Sequence, residues 1–320
     1  MKQSLRLGLI GAGRWGRNYI KTIAALDDVR LVRLASRNPE SARLVESDCI
    51  ISNDWRELID SGDLDGVIIA TPPALHAEMT RSAVRAGLPV LVEKPLTLDL
   101  DEAISLRDFV AAAGGLVMVG HTHLFHPAFR ALKKLAGNYG EILEIHSVAG
   151  NCGPFRSDTP VLWDWGAHDV AMCLDLIDSI PVATKAVFIE NRITPEGTGQ
   201  IVELQLEFHK KISAVIRVGN ILPRQRRFAV HFESAVMVYD DLAEHKLVIY
   251  PVIANKDADA WTKGAPVATE PDLPLTCEVR EFAKAITSER RDFASLDLGV
   301  QVARTLQQAE SELRGSSAGN

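Results

Sequence analysis

Apolar and polar positions alternate along the first third of the chain in a way that switches period repeatedly. An apolar run, Leu5 to Ile10, stops at a glycine-rich hexapeptide, Gly11 to Gly16, and gives way to helical spacing as far as about Leu26. Residues 29–36 form the next apolar run, 49–52 a weaker one, and 65–70, 88–93 and 116–120 three more. Between them lie segments of helical period at 39–47, 54–61, 74–87 and 100–115, with Asp54 and Asp99 placed as N-caps and Gly87 as a C-cap. Six strands alternating with helices predict a parallel, doubly wound sheet with helices on both faces. In such sheets ligands bind beyond the carboxyl ends of the strands.

After Gly120 the rhythm changes. A helix is predicted from about Pro127, a strand over 141–150, a loop of about 13 residues over 151–163, and a helix over 164–179. Period-2 segments then follow one another through residue 251, and two more helical stretches, 275–288 and 298–313, lead to a polar tail expected to be disordered. This pattern predicts a large open, mainly antiparallel sheet with hairpin connections. Helices on one face would leave the other as an apolar interface, hence a homodimer or homotetramer joined through these sheets. The 320 residues divide into two domains, 1–121 and 122–320.

The formal net charge of −7 argues against nucleic acid and anionic membranes as partners. The cluster Arg224, Arg226 and Arg227 reads as a solvated edge or an internal anion contact. Four cysteines with no C-x-x-C pair fit a reducing cytoplasm and give no zinc or disulfide framework. No apolar run reaches spanning length, so the protein is expected to be soluble and cytoplasmic.

Candidate chemistry begins in the hexapeptide. A strand before it and a helix after it make Gly11, Gly13 and Gly16, with Arg14 and Trp15 between them, a dinucleotide-binding loop. Gly11 allows the tight turn, Gly13 a close pyrophosphate, and Gly16 close helix packing; the helix N-terminus faces the phosphates. The second strand ends in Ser36 and Arg37 where selectivity for NAD usually calls for an acid. A hydroxyl and a guanidinium suit a 2'-phosphate, which favours NADP, with NAD as the alternative. Thr71, Pro72 and His76 follow the fourth strand and are expected to wall the cofactor pocket. A charged pair, Glu93 and Lys94, interrupts the end of a buried strand, where it costs free energy unless used.

With these residues in view the chain resembles the Gfo/Idh/MocA family of nicotinamide-dependent oxidoreductases over nearly its whole length. The carriers are GLIGAGRWG at 8–16, ATPPALHAEM at 70–79, AGLPVLVEKPLTL at 86–98, VGHTHLFHPAF at 119–129 and WDWGAHDVAMCLDL at 163–176. The resemblance implies an α/β fold, an N-terminal Rossmann sheet followed by a C-terminal α+β domain. It also implies hydride transfer to or from a secondary alcohol or ketone carbon of a sugar, polyol or sugar nucleotide. Lys94 is then the catalytic lysine beside the nicotinamide, stabilising charge on the substrate oxygen, and Glu93 orients the loop or touches the carboxamide side. His168 is the proton acceptor. Asp164, one helical turn before it, binds substrate or orients the imidazole. The chain departs from the pattern at Ala171, where many relatives carry an aspartate, which leaves open whether Asp164 or Asp169 assists His168. His121, His123 and His126 read as cleft or structural histidines rather than metal ligands, with His123 a substrate contact; Asn151 and Arg156 are further candidates. Reduction of a dihydrodiol, imine or tetrapyrrole, or a non-catalytic dinucleotide sensor, remain as alternatives.

Overall fold

The computed structural model describes residues 4–252, 264–288 and 292–317. It resolves into two compact units, one of Met1–Thr122 with Pro274–Ala303, the other of His123–Leu273 with Arg304–Asn320. The first boundary falls next to the division expected at 121. Residues 274–303, grouped from sequence with the second domain, cluster with the first instead.

The first unit is a six-stranded parallel sheet in the order β3-β2-β1-β4-β5-β6. Its strands are β1 (Leu5–Ile10), β2 (Val29–Ala35), β3 (Ile50–Ser52), β4 (Gly66–Ile69), β5 (Val90–Glu93) and β6 (Val117–Gly120). Chain order reverses between β1 and β4, so the crevice beyond Ile10 and Ile69 is the switch point of a doubly wound sheet. The helices are α1 (Gly16–Ala24), α2 (Trp55–Ile59), α3 (His76–Arg85) and α4 (Leu100–Ala112). Asp54 and Asp99 cap α2 and α4, accepting from Arg56 N and Glu102 N. The segment predicted as a helix at 39–47 is a 3-10 turn, Pro39–Leu44, capped by Asn38.

Why 274–303 belong here is a matter of packing. Helix α7 (Pro274–Thr287), which follows the second unit's strands, lays Phe282 and Ile286 against Gly66 of β4. A Cβ on Gly66 would come within 2.8 Å of Ile286. The next helix, α8 (Ala294–Ser317), begins beside the same sheet. Ser295 Oγ accepts Val119 N at 2.9 Å and Asp297 pairs with Arg107 at 2.7 Å. Helix α8 runs through Ser317, further than the disordered tail expected from 314; residues 318–320 lie outside the described residues.

The second unit begins with α5 (Pro127–Leu135), β7 (Ile142–Cys152) and α6 (Val161–Ile177). The strands β8 (Ala183–Thr194), β9 (Gly197–Glu207), β10 (Ser213–Gly219), β11 (Ile221–Phe232), β12 (Ala235–Asp240), β13 (Leu247–Pro251) and β14 (Ala265–Pro266) complete an eight-stranded sheet. Its order is β14-β13-β12-β11-β7-β10-β9-β8, antiparallel except for the parallel β7–β10 pair. Period 2 sends Ile145, Ser147 and Ala149 of β7, and Ala214, Ile216 and Val218 of β10, to one buried face, against which α6 packs. The opposite face is not the uniformly apolar surface expected. His146, Arg217, Glu203 and Gln205 share it with Val215, Val148 and Val187.

Candidate functional site

In the first unit the three glycines of the hexapeptide differ in what surrounds them. Gly11 has φ +99°, and a Cβ there would lie 2.6 Å from Ala70 O. A Cβ on Gly16 would lie 2.0 Å from Gly11 O, so only glycine lets α1 start this close to β1. A Cβ on Gly13 would meet nothing within 4 Å. Gly13, Arg14 and Trp15 are exposed, and α1 opens immediately behind them. An exposed glycine with open space on its Cβ side, at a helix N-terminus, fits a pyrophosphate.

Ser36 and Arg37 directly follow the carboxyl end of β2. The Ser36 hydroxyl meets Ser41 Oγ at 2.8 Å and accepts Asn38 N at 3.2 Å, which shapes the turn. Arg37 is exposed and makes no ion pair among the described residues. Thr71 is half-buried and Pro72 exposed after β4. His76 stands differently from the pocket wall expected of it. It is fully buried, its Nδ1 2.9 Å from Pro95 O and its Nε2 2.9 Å from Thr71 O. Burial lowers its pKa, the backbone carbonyls opposing and the Lys94 charge adding to the shift. A neutral ring has one N–H, so His76 donates to only one of these carbonyls at a time, to the loop after β4 or to the backbone just past Lys94.

Glu93, 6% exposed, is the anchor of this half. It accepts from the Trp15 indole N–H, from Tyr19 OH at 2.7 Å and from Lys94 N at 3.2 Å. Burial raises its pKa, and Tyr19, Lys94 and Trp15 oppose the rise. Lys94 is half-buried and followed by a cis peptide to Pro95. Buried His121 is held neutral, down to about 3, by burial first and by the Lys94 charge second.

In the second unit α6 carries Asp164 and His168 one turn apart, both half-buried. The Asp164 carboxylate takes Arg156 Nη1 at 3.3 Å, while Arg156 also grips Asp158 through two bonds of 2.9 Å. The loop holding Arg156 is shorter than expected, because β7 runs through Cys152 and α6 starts at Val161. Asn151 is therefore a strand residue. The His168 ring meets His123 edge to face with centroids 4.9 Å apart. His123 Nδ1 lies 3.1 Å from Tyr239 OH. Burial, with Asp241 next, keeps that phenol protonated, and the His123 tautomer sets which of the two groups donates. His126 Nε2 lies 3.2 Å from Asp241. Burial alone would raise Asp241; His126, His123 and Arg226 outweigh it and bring it to about 2.

Asp169 points the other way. It is 1% exposed, accepts from Ser147 Oγ and lies 3.6 Å from Arg226 Nη1. Arg226 also covers the Trp165 ring at 5.7 Å. Of the arginine cluster, Arg226 makes an internal anion contact, while Arg224 and Arg227 are exposed. Asp164 shares the helix face of His168, while Asp169 is committed to the sheet.

Sequence reasoning missed Tyr19, Tyr239 and Glu278. The signal for Glu278 was present, since it lies on the apolar stripe Leu275, Glu278, Val279, Phe282 of α7, where a carboxylate is out of place. The four cysteines form no disulfide among the described residues. Among the described residues no helix is long and apolar enough to cross a membrane, and no three His, Cys, Asp or Glu side chains gather as a metal site.

Comparison with known proteins places these features in a family. Residues 5–121 match a family model described as an oxidoreductase family with an NAD-binding Rossmann fold. An inositol 2-dehydrogenase of Rhizobium meliloti is 30% identical over 224 residues, 67% of this chain and 68% of that protein. A UDP-N-acetylglucosamine 3-dehydrogenase of Acidithiobacillus ferrooxidans is 30% identical over 188 residues, 57% of this chain and 58% of that one. The chain spans about half the length, 52%, of two further inositol 2-dehydrogenases it matches. A crystal structure from Magnetospirillum magnetotacticum MS-1 superposes with a TM-score of 0.89 at 44% identity, over 96% of this chain and 100% of that one. The glycine loop at the switch point, the EKP strand end and the α6 histidine thus belong to a chain of the Gfo/Idh/MocA family, oxidoreductases with an NAD-binding Rossmann fold.

Proposed function

We propose that this protein is an NADP-dependent dehydrogenase acting on a secondary alcohol, or the corresponding ketone, of a polyol, sugar or sugar nucleotide. The observation that carries the cofactor half is the glycine loop: two glycines locked by backbone contacts flank a third with open space. The preference for NADP rests on Arg37, exposed and without an ion pair among the described residues, at a strand end with no acid in the ribose position. The substrate class is supported by the inositol and amino-sugar-nucleotide dehydrogenases among the relatives.

A bound nicotinamide supplies the hydride acceptor or donor. Lys94 offers its ammonium to the substrate oxygen and stabilises negative charge there. His168 takes the hydroxyl proton at a ring nitrogen, and Asp164, drawn toward Arg156, contacts neighbouring hydroxyls. Association of two or four copies through the open sheet face is part of this reading; light scattering of the wild type and of Val215→Glu tests it.

The deciding experiment is a fluorescence titration of NADPH against NADH on the wild type and Arg37→Ala, followed by turnover with myo-inositol and UDP-N-acetylglucosamine. A charge-assisted phosphate bond of about 1.5–3 kcal/mol predicts that NADPH binds at least about tenfold tighter and that the variant loses this preference. NADH binding as tightly as NADPH would overturn the NADP assignment. Failure of both would overturn the enzyme reading.

A further inference from the structure

Beneath the strand ends of the first unit two carboxyl groups are buried together. Glu93 ends β5, and Glu278, 0% exposed, comes from α7. Both reach Gly120, the last residue of β6: a Cβ there would stand 3.0 Å from Glu278 Oε1 and 3.2 Å from Glu93 Oε1. The missing side chain is what allows both groups on one side of the strand. Their surroundings are unequal. Glu93 accepts from Trp15, Tyr19 and the Lys94 backbone, whereas neither oxygen of Glu278 meets a donor in hydrogen-bonding geometry. Two carboxylates in one dry site do not both ionise, and the one with donors keeps the charge.

The other groups facing the pair, Thr122 excepted, agree with that division. Tyr19 is held protonated by burial, then by Glu278 and Glu93. His121 is neutral; the Thr122 hydroxyl on the Glu278 side works the other way, opposing the rise of the Glu278 carboxyl without reversing it. Burial first, then Glu93, raises the Glu278 carboxyl well above its ordinary value. Lys94 is the cation that acts on Glu93.

We propose that Glu278 is a positioning residue for Lys94: it carries a proton, donates it in a hydrogen bond to Glu93, and so fixes one shared negative charge against Trp15 of the glycine loop and the backbone of Lys94. The inference rests on the reading of Lys94 and the glycine loop as catalytic and cofactor-binding elements. Glu93 is then a single anchor for both, and Glu278 acts through it without touching substrate.

The test has two readouts. Difference infrared spectra of wild type minus Glu278→Gln, taken at neutral pH without cofactor, are expected to show the carbonyl stretch of a protonated carboxylic acid, shifted in heavy water. Absence of that band overturns the proposal. In NADPH titrations Glu278→Gln, a neutral donor of the same length, is expected to stay within about threefold of wild type. Glu278→Asp, too short to reach, is expected to weaken binding about tenfold, the loss of one hydrogen bond to a charged group. A glutamine variant as impaired as the aspartate variant overturns the proposal, since charge rather than proton donation would then be needed. Should the aspartate variant not fold, Gly120→Ala, which drives the carboxyls apart, is expected to move the infrared band and weaken NADPH to the same degree. If NADPH does not bind the wild type, the cofactor reading fails, and the infrared spectrum still decides where the proton lies.

Discussion

Replacing Asp169 with alanine separates packing from chemistry at the residue beside His168. The side chain is 1% exposed, bound by Ser147 and 3.6 Å from an Arg226 guanidinium that is itself 9% exposed as a residue. Breaking a buried pair by removing one partner costs about 3–5 kcal/mol, because the remaining charge is stranded. Arg226 is not wholly stranded here, since Asp241 acts on it and the Trp165 face lies 5.7 Å away. The low end, about 3 kcal/mol, is therefore expected. In urea unfolding followed by circular dichroism this lowers the midpoint by about 1 M or more. Asp169→Leu combined with Arg226→Leu should recover most of the loss, since an apolar pair of similar volume strands nothing. A cost below about 1 kcal/mol, far under that of a broken buried pair, would refute the argument, as would a double variant no more stable than the single one. If Asp169→Asn abolished turnover at unchanged stability, Asp169 would belong to the reaction instead of the core.

Gly13→Ala is expected to leave the urea midpoint unchanged while weakening NADPH by about tenfold or more, because the methyl group enters open space that the pyrophosphate needs. Gly16→Ala should damage both, its Cβ meeting Gly11 O at 2.0 Å; equal behaviour of the two variants would contradict the division of roles. His76→Leu removes the one hydrogen bond that the neutral ring donates to Thr71 O or Pro95 O and should cost about 1–3 kcal/mol in urea unfolding together with weaker NADPH binding; unchanged values in both assays would show that the bond is idle. Asp63 is lowered from 3.8 to about 2, by Arg33 first and by Ser61 and Arg6 after it, against burial. Its folded pKa is the lower one, so its contribution is complete above 3.8 and disappears as pH falls through about 2. Asp63→Asn should cost about 1 kcal/mol at neutral pH, discounted for a partly exposed pair, and almost nothing near pH 2; a pH-independent cost would show that the effect is not electrostatic.

What could be read from the sequence was local. The loop from Gly11 to Gly16, the caps Asp54 and Asp99, and the turn spacing of Asp164 and His168 each lie within a few residues, where backbone geometry fixes the outcome. His76 lies on the same short helix as its neighbours, but its role depends on Pro95 O, a partner brought in by β5, and so was read as a wall. Glu278 and Tyr239 meet their partners only through tertiary contact, and no period in the chain points to Glu93 or His123. The parallel β7–β10 pair was equally invisible, since alternation marks a strand but not its neighbour's direction.

The discontinuity of the first unit bears on how the protein is made. Segments 1–122 and 274–303 compose one body, with 123–273 inserted between them in the chain. A ribosome therefore delivers six parallel strands long before it delivers α7. During that interval β4 lacks Phe282 and Ile286, and Glu93 lacks its companion acid. Domains that fold as they emerge do so once their last segment is free, so this nucleotide-binding body cannot be finished first merely because it begins first. The second unit waits longer still, for Arg304–Asn320, so nascent chains halted before residue 274 should hold two unfinished units rather than one finished and one unfinished.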